Sequence, residues 1–180
     1  MPGWAIKSQP DATFCGGSKI ITVRRKRKLD PEQQPLSNVY ALAFPTGLSF
    51  AEPAKKAASM KAFEAWMKTL QTTGAAAQKY YEAMIQADPA TRAHAAARLA
   101  QVSFRIAEIL ARAEIPKDVR TGEFASDKIT AFCDEMEEVA EPLVMRGEEA
   151  LGQCAGATGG ATGWWSSYCV TAASAPAPSP

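Results

Sequence analysis

The stretch that decides the fold runs from Ala54 to Pro116 and reads AKKAASMKAFEAWMKTLQTTGAAAQKYYEAMIQADPATRAHAAARLAQVSFRIAEILARAEIP. In its first half, apolar or small residues recur in alternating steps of three and four, at Met60, Phe63, Met67, Leu70, Gly74, Ala77, Tyr81 and Met84. This spacing predicts one helix from about Ala54 to Ala87, with another backbone passing close to Gly74. A break at Gly74 is the alternative, because glycine costs about 1 kcal/mol in a helix interior.

Asp88 and Pro89 separate this helix from a second one. An aspartate caps the first N–H groups of a helix, and proline is favoured at the first helical position. The second apolar stripe is Ala95, Leu99, Val102, Ile106, Ile109 and Ala113. We expect the helix to end at Ile115, because the residue before a proline is driven out of the helical region. With almost no linker, the two helices are predicted to form an antiparallel hairpin.

A third apolar stripe follows Gly122, with Ser126 as its candidate cap. Its members are Ile129, Phe132, Met136, Val139 and Leu143. Pro142 is expected to kink or end this helix, because it lacks the N–H that would bind the carbonyl of Glu138, and a short continuation over Leu143–Gln153 follows. The predicted fold class is all-α, an up-down-up bundle of three helices, or of four if the continuation is separate.

Composition divides the chain into four segments. These are an irregular, extended N-terminal arm over 1–52, the helical bundle over 53–153, a Gly/Trp-rich segment over 154–170 and a disordered Pro/Ala tail over 171–180. Within the arm, Lys19–Val23 and Val39–Phe44 have strand character, which predicts short β segments.

Charge and hydropathy exclude several classes of protein. The net charge of +1 argues against the whole chain as a binder of bulk polyanions, so an electrostatic partner must meet a local patch. No run approaches the ~20 apolar residues that span a bilayer, and Met1–Phe14 lacks the apolar core of a signal peptide. We therefore expect a soluble protein without a membrane span, and the sequence leaves its compartment open.

The four cysteines form no C-x-x-C pair, which argues against zinc-finger and thioredoxin-like sites. Cys133 lies beside the apolar stripe of the third helix, which favours a buried thiol. Cys154 and Cys169 flank a flexible glycine loop and are the disulfide candidates. Such a bridge would contribute about 3 kcal/mol in an oxidising compartment, and an exported domain stapled by it is one alternative.

No catalytic motif is present. His94 is the only histidine and is flanked by alanines, so neither a nucleophile triad nor the Glu-x-x-His pairs of a dimetal site can be built. The glycines of 156–163 lack the lysine of a phosphate-binding loop. The acidic residues Asp134, Glu135 and Glu138 are interpreted as a solvated helix face rather than a metal site. We therefore predict no enzymatic activity, no cofactor and no metal.

Aromatic residues gather near both ends of the chain. Trp164 and Trp165 follow a repeated Gly-Ala-Thr-Gly, Tyr168 lies one turn further on, and Trp4 lies in the arm. Tryptophan and tyrosine dominate protein–protein hot spots, although packing back over the open end of the helices is the alternative. The leading hypothesis is a non-enzymatic structural or interaction protein, a subunit of a larger assembly that binds other protein subunits or itself through these aromatics.

Two basic sets suggest a different function. The loop Arg24, Arg25, Lys26, Arg27 and Lys28 is the most concentrated charge in the chain, and the second helix carries Arg92, Arg98, Arg105 and Arg112 along one edge. Together they could follow a phosphate backbone, which makes a nucleic-acid-binding or coat-like helical protein the alternative. The structural interpretation is that the arginines pair with the acidic third helix and that the loop is solvated.

Overall fold

A computed structural model describes residues 13–15, 33–157 and 163–174. These segments contain five α-helices and no β-strand, which confirms the all-α class. The helices are α1 (Gln34–Tyr40), α2 (Pro53–Ala87), α3 (Arg92–Ala111), α4 (Ala125–Gly156) and α5 (Gly163–Ser174). An isolated antiparallel bridge joins Phe14 to Glu114 and brings the arm onto the connection between α3 and α4.

The long helix predicted across Gly74 is confirmed, and the alternative of a break there is wrong. A Cβ atom placed on Gly74 would lie 2.8 Å from Cδ1 of Ile106, so the glycine makes room for α3. The neighbour that comes closest is a side chain of α3, and not its backbone as expected. Glycine is kept inside α2 because the gain in packing outweighs its low helix propensity.

Helix α3 is the centre of the fold. Twelve of its residues are buried, half of them alanines, and it contacts α1, α2, α4 and α5. Among these described helices, α2 and α4 have no Cα atoms within 8 Å of one another, so α3 lies between them. The all-α class is shown, but the predicted up-down-up arrangement of a three- or four-helix bundle is not confirmed.

Helix α4 continues through Pro142, so the predicted end of the helix there is wrong. Pro142 and Glu138 are both exposed, and water can therefore bind the carbonyl that the proline leaves unpaired. Ser126 lies inside the helix, and the cap position belongs to Phe124, whose left-handed φ of 60° ends the preceding turn. Helix α4 also extends to Gly156, past the predicted end of the bundle.

The ends of α3 differ from the prediction. Asp88 accepts a hydrogen bond from the N–H of Ala90 at 2.8 Å, but α3 begins only at Arg92, so Asp88 stabilises the turn before the helix. The helix ends at Ala111 rather than at Ile115. The chain leaves the helix there because Ala113 and Ile115 exchange backbone hydrogen bonds with Cys15 and Thr13 of the arm.

The predicted β segment Val39–Phe44 is wrong, because Val39 and Tyr40 close helix α1 and no strand follows them. Pro35 in the first turn is compatible with a helix start, and Leu36 and Val39, three residues apart, place their side chains in the core. The other predicted segment, Lys19–Val23, lies outside the described residues.

Asp118 ties the segment before α2 to the connection between α3 and α4. Its Oδ2 accepts hydrogen bonds from the N–H groups of Phe50 at 2.9 Å and Ala51 at 2.8 Å. A buried hydrogen bond from the N–H of Ser49 to Oγ of Ser59, at 3.0 Å, secures the same turn. These bonds hold the start of α2 against the rest of the molecule.

We expect Asp118→Ala to lower the free energy of unfolding by about 2 kcal/mol, because it leaves two partly shielded N–H groups without their charged acceptor. Denaturant unfolding followed by circular dichroism measures the change. Glu123→Ala removes an exposed carboxylate from the same connection and is the control, with an expected change below about 0.5 kcal/mol. Equal effects of the two substitutions would contradict the role given to Asp118.

Candidate docking surface

Helix α5 is attached to α4 by the disulfide Cys154–Cys169, which confirms the predicted pair. Both cysteines are buried, with Cα atoms 5.9 Å apart. A hydrogen bond from Oγ of Ser166 to the carbonyl of Ala155, at 3.0 Å, adds a second link. A covalent bond and a hydrogen bond therefore hold α5 and its aromatic residues in place.

Cys133 is not the free thiol that the sequence favoured, because it forms a second disulfide with Cys15. A backbone hydrogen bond from the N–H of Cys15 to the carbonyl of Ala113, at 3.3 Å, holds Cys15 next to Cys133. The bridge is buried in a small cluster with Ile115 and Ile129. With both bridges formed, none of the four cysteines is free.

The aromatic residues of α5 divide into an anchor and an exposed pair. Trp165 is half-buried, with its ring 4.7 Å from that of His94 and 5.0 Å from the guanidinium carbon of Arg98. Trp164 is 67% exposed and stacks on Tyr168, with the ring centres 5.7 Å apart and the planes 10° from parallel. One tryptophan thus packs back on α3, as one of the two interpretations expected, and the other faces solvent.

Two of the predicted arginines lie beside aromatic rings, Arg98 beside Trp165 of α5 and Arg105 beside Tyr40 of α1. Arg98 donates to Oε1 of Gln101 at 2.8 Å, and Nε2 of Gln101 donates to the hydroxyl of Tyr168 at 3.2 Å. Two helical turns further on, Arg105 pairs with Glu108 at 2.8 Å and lies 5.5 Å from the ring of Tyr40. The guanidinium groups therefore link α3 to α5 and to α1.

Tyr40 belongs to the same surface, and the sequence analysis missed it. Its side chain is 54% exposed. Partial burial raises the pKa of Tyr40 above 10.0, an effect that Arg105 opposes and that Glu108 and Tyr168 reinforce. Its ring lies 5.5 Å from the guanidinium carbon of Arg105, so Tyr40 lies against α3. We call the set Tyr40, Arg98, Arg105, Trp164, Trp165 and Tyr168 the aromatic–arginine surface.

The other predicted residues are not part of this surface. Arg92 is exposed and donates to the carbonyl of Ile85 at 3.4 Å, and Arg112, directly after α3, pairs with Glu108 at 3.1 Å. Arg105 and Arg112 thus share Glu108. Trp4 and the basic loop Arg24–Lys28 lie outside the described residues.

Two open clefts lie near the C-terminal ends of α2 and α4. A shallow groove of about 230 Å³ lies over Leu99 between α2 and α4, with polar walls that include Glu82, Arg146 and Glu149. In the parts of the chain that the structure covers, no three His, Cys, Asp or Glu side chains are grouped so that they could hold a metal ion. Of the helices described, none is both long and apolar enough to cross a bilayer.

Comparison of the chain with protein-family models, with curated proteins and with solved structures finds no match. The functional argument therefore rests on the geometry of the aromatic–arginine surface.

Proposed function

We propose that this protein is a non-enzymatic interaction protein, a subunit of a larger assembly, and that its aromatic–arginine surface binds a protein partner. The observation that carries the proposal is the exposure of Trp164, which stacks on Tyr168 on a helix held by a disulfide. Burial of a large aromatic side chain against a partner is worth about 2 kcal/mol or more. A residue already held in place loses little conformational entropy on binding, which strengthens the contact.

A protein partner fits this surface better than nucleic acid. Single-stranded nucleic acid requires arginines that are free to bind phosphates next to the stacking rings. Here Arg98 is engaged by Gln101, and Arg105 by Glu108, whose carboxylate also lowers the local positive charge. Tryptophan, tyrosine and arginine are, by contrast, the residues that concentrate binding energy in protein interfaces.

The helices beneath the surface supply its rigidity. In this proposal α2, α3 and α4 form the predicted up-down-up scaffold, and α1 and α5 bring Tyr40 and the aromatic pair against α3. The single surface thus draws residues from α1, α3 and α5, so a partner would recognise the folded chain rather than a linear segment.

The double variant Trp164→Ala/Tyr168→Ala tests the proposal. Tagged protein is used to recover partners from the native extract, and each partner is then titrated with purified wild-type and variant protein. We expect at least one stoichiometric protein partner whose affinity falls about thirty-fold or more in the variant, because two hot-spot rings are lost.

Phe124→Ala is the matched control, because Phe124 is an aromatic of 64% exposure at the opposite end of α4 from the disulfide to α5. It should leave the affinity unchanged. Equal binding of every partner by all three proteins would refute the proposed surface. Recovery of nucleic acid that is lost at high salt would instead support the basic-loop alternative.

A further inference from the structure

The two helices that flank α3 carry opposite charge. Helix α2 has five lysines and two glutamates, a net charge of +3, whereas α4 has eight acidic and two basic residues, a net charge of −6. Because both pack on α3 and have no Cα atoms within 8 Å of one another, the basic and the acidic helix form separate flanks of α3. The whole chain is nevertheless close to neutral, at +1.

The acidic flank is a regular row of carboxylates. Asp127, Asp134, Glu141 and Glu148 recur at intervals of seven residues, and all four are exposed. Seven residues span two helical turns, or about 10.5 Å, so these side chains lie in line on one face. Burial, together with Asp134 and Glu141, raises the pKa of Glu137, which shows how closely the carboxylates are placed.

The basic flank presents the same interval. Lys61 and Lys68 are exposed and seven residues apart, and Glu64 and Ala65, both exposed, lie between them. Only five of the 35 residues of α2 are buried, so most of the helix is uncovered. In the part of the chain that the structure describes, neither lysine takes part in an ion pair. Small side chains allow a second helix to approach at a short interaxial distance.

We propose that α2 of one copy of this chain binds α4 of a second copy, with Lys61 and Lys68 facing two carboxylates of the row on α4. This inference rests on the proposed function as an assembly subunit, and it identifies a second copy of the chain as one of the partners. The equal spacing of the opposite charges provides the complementarity, and the near-neutral chain imposes little repulsion between copies.

The contact is heterologous, because it joins two different surfaces. A bound pair keeps one free α2 and one free α4, so association continues into a filament or closes into a ring. Exposed ion pairs are screened by salt, and the assembly should therefore weaken as ionic strength rises.

Charge reversal tests the pairing by sedimentation velocity of the full chain over a range of concentrations at low salt. We expect wild-type protein to form oligomers larger than a dimer. Lys61→Glu/Lys68→Glu reverses the charges at the contact positions of α2, and Asp134→Lys/Glu141→Lys reverses those of α4, so in each variant alone like charges face one another and association should be at least tenfold weaker than in the wild type. An equimolar mixture of the two variants should associate again, because their flanks are complementary. Circular dichroism confirms that both variants are folded.

Three outcomes would overturn the inference. These are wild-type protein that stays monomeric at low salt, variants that associate as the wild type does, and a mixture that remains monomeric. Trp164→Ala/Tyr168→Ala separates this contact from the docking surface, because it should self-associate normally. If it alone abolished self-association, the aromatic–arginine surface would be the contact between copies, which refutes the α2–α4 contact while it supports the proposed function.

Discussion

Replacing Cys15 and Cys133 together with alanine is expected to lower the free energy of unfolding by about 5 kcal/mol. The bridge closes a loop of 118 residues, and the chain-entropy model gives a stabilisation that grows with loop length. The variant also releases the arm from the connection between α3 and α4, where Ile115 and Ile129 pack around the sulfur atoms. Denaturant unfolding of oxidised wild-type and variant protein measures the difference.

Cys154→Ala/Cys169→Ala is the matched comparison, because it removes the other bridge. Its two cysteines are 15 residues apart, for which the same model gives about 3 kcal/mol. Removal of the Cys15–Cys133 bridge, which closes the longer loop, should therefore lower the free energy of unfolding more. A smaller effect of the Cys15/Cys133 change would show that the arm does not constrain the unfolded chain. Reactive thiols in the oxidised wild-type protein would contradict both bridges.

Substitution of Gly147 by valine is expected to destabilise the protein by about 3 kcal/mol, because it forces side-chain atoms into the contact between α4 and α3. A Cβ atom at Gly147 would lie 2.6 Å from Cε1 of Phe104, with two more atoms of that ring within 3 Å. Either the ring must move or the helices must separate. Thermal and denaturant unfolding of the purified variant measure the loss.

The same helix provides an internal control. Gly152 is exposed, and a Cβ atom placed there meets nothing within 4 Å, so Gly152→Val should change the free energy of unfolding by less than about 0.5 kcal/mol. The cavity-forming change Phe104→Ala, combined with Gly147→Val, should recover part of the loss. Equal effects at the two glycines would mean that helix propensity, and not the α3–α4 contact, controls position 147.

How far a helix extends can be predicted from residues that are close in sequence. In α2, the alternation of three and four across Gly74 predicted an unbroken helix, and the structure confirms it. At Pro142 the local rule gave the wrong result, since whether a missing hydrogen bond ends a helix depends on the exposure of the freed carbonyl. The prediction for Val39–Phe44 failed for a similar reason, because a short apolar run is compatible with strand and helix alike.

The candidate site was predicted in part. The aromatic residues of α5 were found from composition, but Tyr40 was not, because nothing in its surroundings along the chain links it to Arg105 or Tyr168. The arginines were found from their spacing, but the pairing of Arg105 with Glu108 on its own helix was not predicted. Arginine side chains are long enough to reach several neighbouring elements, and α1 and α5 cover that edge of α3.

Spacing along the chain was thus sufficient for the all-α class, the long helix α2 and the Cys154–Cys169 bridge. All of these depend on residues that are close in sequence or on the composition of one element. The Cys15–Cys133 bridge, the central position of α3 and the surface shared by α1, α3 and α5 required the tertiary structure. The spacing of residues within a helix predicts which of its faces is apolar. Which other element covers that face depends on all the elements that can pack against it in the folded chain.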